Sequence, residues 1–135
     1  MDFDEYLKKR IAASDDFVNG DAASLLSVST ETDPASLFGP MGGCVNGAES
    51  VNAANTESAK AFEQGLENEF EVMHSASSDT LAYWTGMQRS RVRFKGSDEE
   101  VPMRLRITEI FRKEADGWKL IHRHADPNAD APEKR

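Results

Sequence analysis

The stretch from Val101 to Phe111 reads V-P-M-R-L-R-I-T-E-I-F, and Trp118 to Asp126 reads W-K-L-I-H-R-H-A-D. Glu114-Ala115-Asp116-Gly117 separates the two runs. Both alternate with period two, and a short Asp-Gly connection between such runs predicts a β-hairpin. Even positions place Arg104, Arg106, Thr108 and Ile110 on one face, with Trp118, Leu120, His122 and His124. Odd positions place Met103, Leu105, Ile107 and Phe111 on the other, with Ile121 and Ala125. The odd face is apolar. The even face grades from apolar to cationic and imidazole, and its polar end is where function is expected.

Working outward, Thr80–Phe94 predicts a long strand with Trp84, Gly86, Gln88, Ser90 and Val92 on one side. Glu67–Ser75 predicts a further strand, with Phe70, Val72 and His74 together. Before it the periodicity is helical. Phe3, Tyr6, Leu7, Ile11, Ser14, Phe17 and Val18 recur at helical spacing over 2–18, with Asp2 or Asp4 as cap and Asn19-Gly20 as stop. Asp21 caps a short second helix through Val28, and a weakly amphipathic third helix spans 48–64. Residues 29–47 are punctuated by Pro34, Gly39, Pro40, Gly42, Gly43 and Gly47, and read as a loop with a short strand at Leu37-Phe38. Three helices followed by a four-stranded antiparallel meander imply an α+β fold. A strongly curved sheet with helices on one face makes a cone with an internal pocket. One domain covers 1–127, and 128–135 reads as a C-terminal tail.

The net charge of −8 disfavours nucleic acid and anionic membranes as partners, since both need a dominant basic field. No stretch approaches the roughly 20 apolar residues that span a bilayer. The opening M-D-F-D-E-Y lacks a secretory pattern, and the single Cys44 rules out an internal disulfide, so the expected location is cytoplasmic. No phosphate-loop lysine pattern or metal-ligand cluster is present, and neither cofactor nor metal is expected.

The first helix ending in Asn19-Gly20-Asp21, and the closing pattern from Arg106 to Asp126, resemble nuclear transport factor 2-like domains. The resemblance covers roughly 2–127 and is nearest to the SnoaL-like branch. That branch also resembles the association domain of calcium/calmodulin-dependent kinase. It implies a cone fold and a homodimer. Ketosteroid isomerase belongs to the same superfamily, and its chemistry uses an aspartate base with a tyrosine and a protonated aspartic acid at the oxyanion. Matched by position, these fall on Gly39, Ala13 and Thr108, so the fold is expected without that chemistry.

The expected pocket holds Arg106, Thr108, Arg104, Trp84 and Gln88 as ligand-binding residues, with His122 and His124 as candidate acid–base groups. Even-face pairing would set Thr108 near His122, Arg106 near His124 and Arg104 near Asp126. The Arg106 guanidinium is then met either by the carboxylate or carbonyl of a small apolar ligand, or by an internal acid such as Glu49, Glu57 or Glu63. Either histidine, and Trp84, reads equally as a satisfied structural residue. The apolar odd face, left uncovered, would carry the homodimer. The alternative function is a non-catalytic dimerisation or interaction module in which the pocket arginine is structural.

Overall fold

In the first helix, α1 (Phe3–Phe17), Asp2 accepts a hydrogen bond from the Glu5 amide and Glu5 reciprocates to the Asp2 amide. This capping box satisfies donors that the first turn cannot. A computed structural model describes residues 1–129; the expected tail lies largely outside the described residues. Gly20 adopts φ 97°, a left-handed conformation that glycine enters without strain, and Asp21 accepts from the Ala23 amide to start α2 (Ala23–Val28). Two short strands follow, β1 (Ser36–Phe38) and β2 (Cys44–Asn46), then α3 (Ala48–Ala59). Four long strands complete the chain: β3 (Phe62–Ser77), β4 (Leu81–Phe94), β5 (Glu100–Glu114) and β6 (Gly117–Pro127).

The meander β3–β4–β5–β6 is antiparallel as expected, but the sheet is larger. Its order is β2-β1-β6-β5-β4-β3, with β1 parallel to β6. The third helix ends at Ala59 rather than at residue 64, because Phe62 pairs with Phe94 in the ladder and stacks on its ring at 5.1 Å. The loop expected over 29–47 contains β2 as well as β1, and Arg112 holds its first part. The Arg112 guanidinium donates to Thr30 Oγ1, Thr32 O and Glu114 Oε2 at 2.6–3.1 Å.

Register shifts interrupt the β3–β4 ladder at Phe62/Gln64, Gly65/Glu67 and Val72/His74. Each bulge bends the strand and increases its twist. Gly86 allows β3 to approach β4 closely, because a Cβ there would lie 1.9 Å from the Glu71 carbonyl oxygen. The sheet curls around α1 without closing.

The core lies between α1, α2 and the concave face. Phe3, Tyr6, Leu7, Val28, Trp84, Ile107, Phe111, Trp118 and Leu120 form one buried cluster. Phe111 meets Tyr6 edge-on at 5.4 Å and Phe3 at 5.2 Å. Full burial of a side chain such as Phe111 stabilises by about 1.5–3 kcal/mol, and each aromatic pair adds about 0.5–1.5 kcal/mol.

This core reverses the expected facing of β5. Leu105, Ile107 and Phe111 are covered by the helices, so the even positions of β5 point outward. The apolar outer patch expected from the odd positions is therefore absent. On β6, Trp118 and Leu120 are buried, but so are Arg123 in part and Ala125. The register shift at Ile110/Phe111 explains this change of parity: Phe111 pairs with Leu120 and Ile110 with His122, so Ile121 is the extra residue. Beyond it, odd residues face in and the histidines face out.

Candidate functional site

The concave face carries one carboxylate, Glu109, between Ile107 and Phe111 on β5. It is fully buried. Arg10 reaches it from the apolar stripe of α1, with Nε donating to Oε1 at 3.0 Å and Nη2 to Oε2 at 2.6 Å. Arg123 from β6 donates through Nη1 to Oε2 at 2.8 Å, and the Trp84 indole N–H from β4 donates to Oε1 at 2.7 Å. Four elements thus converge on one carboxyl group.

Burial would raise the Glu109 carboxyl, but the Arg10 and Arg123 guanidiniums outweigh it and bring it down to about 2. The group is ionised at neutral pH. Burial pushes the Arg123 guanidinium down, opposed by Glu109. With both arginines charged, the cluster carries one surplus positive charge.

A polar chain continues from Arg123. Its Nη2 donates to Gln88 Oε1 at 2.6 Å, and Gln88 Nε2 donates to Asn68 Oδ1 at 3.0 Å. Asn68 Oδ1 also accepts from Ser90 Oγ, and Asn68 Nδ2 donates to Asp15 Oδ1. This network fixes the Gln88 amide, since its oxygen must face the guanidinium. Beside it lies a cavity of about 70 Å³. Its polar lining includes Arg10, Ser14, Gln88 and Arg123, and its apolar wall Phe17, Val18, Phe62, Met103 and Leu105.

Of the residues expected to bind ligand, Gln88 lines this cavity, and Trp84 lies in the interior holding Glu109. Arg106, Thr108 and His124 are not inside: all three are exposed on the outer face. The strand register sets Thr108 opposite His124 and Arg106 opposite Asp126, two positions from the expected pairing. Arg106 forms a bidentate pair with Asp126, at 2.6 and 2.8 Å. His124 Nε2 lies 3.7 Å from Asp126 Oδ2. With Thr108, Met73 and Met87 these groups line an open outer depression of about 290 Å³. Arg104 is half-buried beside Arg89 on β4, and its Nε has no hydrogen-bond partner among the described residues. The acids expected to meet an interior arginine, Glu49, Glu57 and Glu63, are all exposed; Glu109 fills that role. Because Arg106 and Asp126 sit in water, Arg106→Ala is expected to leave the thermal unfolding midpoint unchanged within scatter, as exposed pairs contribute little.

His122 is half-buried near the sheet edge. Its Nδ1 is 2.7 Å from Ser36 Oγ on β1, and the Phe38 ring packs edge-on at 4.8 Å. Burial holds its imidazole below the usual value, so it is neutral near pH 7. It shares no cavity with Glu109.

Arg10 and Glu109, the residues that build the interior site, were the ones the sequence reading passed over. Each interrupts an apolar stripe at a core position: residue 10 follows Tyr6 and Leu7 by one helical turn, and residue 109 separates Ile107 from Phe111. Two opposite charges at core positions of different elements are the pattern of a buried ion pair.

A curled six-stranded sheet, roofed by three helices and floored by a polar cluster, is the cone of the nuclear transport factor 2-like superfamily. Within it the chain belongs to the SnoaL-like domain family, which matches residues 11–127. A ketosteroid isomerase-like protein from Erwinia carotovora atroseptica superposes with a TM-score of 0.74 at 15% identity, covering 96% of this chain and 94% of that one. A nuclear transport factor 2-like superfamily protein from Salmonella enterica serovar Typhimurium gives 0.73 at 14% identity, covering 95% and 89%. A Thiobacillus denitrificans protein named for the calcium/calmodulin-dependent protein kinase type II association domain gives 0.72 at 19%, covering 93% and 94%. At these identities the likeness is one of fold. No curated protein matches the chain. No helix among the described residues is long and apolar enough to cross a membrane.

Proposed function

We propose that this protein is a small-molecule-binding domain whose ligand enters the interior cavity and presents an anionic acceptor group to Arg123 and Arg10. The observation that carries this reading is the charge imbalance: two buried guanidiniums share one carboxylate beside a cavity with an apolar wall. A buried surplus charge is costly, and a bound anion offsets it. This moves the expected ligand contact from Arg106 and His124 to Arg123 and Arg10.

Binding is favoured over acid–base catalysis. General acid–base groups work best when they titrate near the operating pH. Glu109 lies far below it, and burial pushes the Tyr6 phenol well above its ordinary value, with its hydroxyl donating to the Val28 carbonyl at 2.6 Å. Ketosteroid isomerisation needs a carboxylic acid kept protonated by apolar surroundings, whereas Glu109 is held ionised. The test is a thermal-shift screen of carboxylates against their neutral amides. Carboxylates are expected to raise the unfolding midpoint of the wild type and to lose that effect in a folded Arg123→Met variant. Equal shifts from the amides would overturn the reading.

The second reading, an interaction module, has its own support on the outer face. Leu81, Ala82, Tyr83 and Ile110 line an apolar depression of about 540 Å³, with Val72 and Met73 exposed on the same hairpin. A homodimer through this face replaces the one expected from the odd positions of β5. Light scattering on the wild type is expected to give twice the chain mass, and Leu81→Asp the monomer mass. A monomeric wild type at micromolar concentration would end this proposal. The exposed Cys44 is compatible with a cytoplasmic location.

A further inference from the structure

The interior cavity is small, and its size constrains what it can hold. An apolar cavity of about 150 Å³ accommodates benzene, with six heavy atoms. By that scale, a cavity of about 70 Å³ accommodates a molecule of three to five heavy atoms.

The demand for acceptors is correspondingly sharp. Each guanidinium carries five N–H groups. Arg10 makes its two hydrogen bonds to Glu109, and Arg123 makes one to Glu109 and one to Gln88. Neither makes another hydrogen bond among the described residues. The remaining donors lie on side chains that line the cavity. Gln88 adds no competing acceptor, because its oxygen is already engaged by Arg123. The far wall is hydrocarbon from Phe17, Val18, Phe62, Met103 and Leu105. The Arg123 side chain keeps 19% of its surface exposed, so the polar end of the cavity is the end nearest solvent.

From these observations, and resting on the small-molecule reading above, we propose that the ligand class is a short-chain monocarboxylate of two or three carbons. Its carboxylate lies against Arg123 and Arg10, and its methyl or ethyl group lies against the apolar wall. The one-headed shape matters. A polyatomic oxyanion such as nitrate matches the charge and size but would press an oxygen against hydrocarbon. Butyrate and benzoate exceed the volume.

The experiment is a titration of the ¹⁵N-labelled protein, reading the Gln88 side-chain amide and the Arg123 Nε–H. Formate, acetate, propionate, butyrate, benzoate and nitrate are added separately at matched ionic strength, with acetamide as the neutral control. Acetate or propionate is expected to bind at least tenfold more tightly than benzoate and nitrate, with saturable shifts at both reporters. Those shifts vanish in Arg123→Met, whose fold is verified from the remaining amide spectrum. Equal or tighter binding of butyrate or benzoate, still dependent on Arg123, would overturn the size limit while leaving an anion-binding interior. Nitrate equal to acetate would overturn the carboxylate assignment in favour of any small anion. No saturable shift with any of the anions would remove both this inference and the reading it rests on, leaving water as the occupant.

Discussion

Glu109→Ala is expected to destabilise the fold by about 3–5 kcal/mol, because it leaves two buried guanidiniums without their shared carboxylate. The substitution also removes the acceptor of the Trp84 indole N–H. Urea unfolding of wild type and variant measures the difference. A double variant, Glu109→Ala with Arg123→Met, is expected to be less destabilised than Glu109→Ala alone, since one of the two orphaned charges is gone. A loss of less than about 1 kcal/mol for Glu109→Ala would show that the cluster relaxes into water and is not a sealed site.

The same carboxyl makes stability depend on acid. It titrates near 2 in the folded protein, against an ordinary value of 4.5. A depressed carboxyl adds stability that is complete above its unfolded value and is lost as pH falls through its folded value. The contribution is therefore present above about pH 4.5 and disappears between pH 4.5 and 2, with a size on the order of 3 kcal/mol. Glu109→Gln has no such titration, so its stability is expected to fall less steeply across that interval.

Gly86→Ala is expected to be comparably severe, for a steric reason. The added Cβ would lie 1.9 Å from the Glu71 carbonyl oxygen and 2.9 Å from the Met73 amide nitrogen. Both are backbone atoms of the neighbouring strand, so no rotamer change relieves the clash. The cost is expected at or beyond the upper end of overpacking effects, about 3 kcal/mol. Gly43→Ala is the control: its Cβ would meet nothing within 4 Å, and its stability is expected to match the wild type. Hydrogen exchange should localise the Gly86→Ala effect to the β3–β4 pairing. A variant as stable as Gly43→Ala would show that the strands can separate there without penalty.

The fold was legible because its signals are local. Period-two alternation placed β4, β5 and β6, the Asp-Gly turn joined the last pair, and Asp2 and Asn19-Gly20 marked the ends of α1. The site was not legible, for two reasons. Alternation shows which residues share a face, and it does not show which face a helix covers. Trp118 and Leu120 drew the even positions inward, yet the greater apolar weight of Leu105, Ile107 and Phe111 sends the odd positions of β5 inward. The extra residue at Ile121 then reverses parity within β6, so Trp118 and His124 cannot share a face although both are even. Such a bulge leaves no mark on the alternation. Arg10 and Glu109 were visible as charges at core positions, but they are 99 residues apart in the chain, and only the folded sheet brings them together.

The free borders of the sheet limit how this molecule associates. One border is β2, only three residues long, and the other is β3, bent at three places and carrying Glu63, Glu67, Glu69 and Glu71. An incoming strand from another copy would meet too short a template on one side, and a crooked, like-charged one on the other. Open-ended ribbon growth is thus discouraged at both sides, and copies that do associate are steered towards a finite, self-limiting pair.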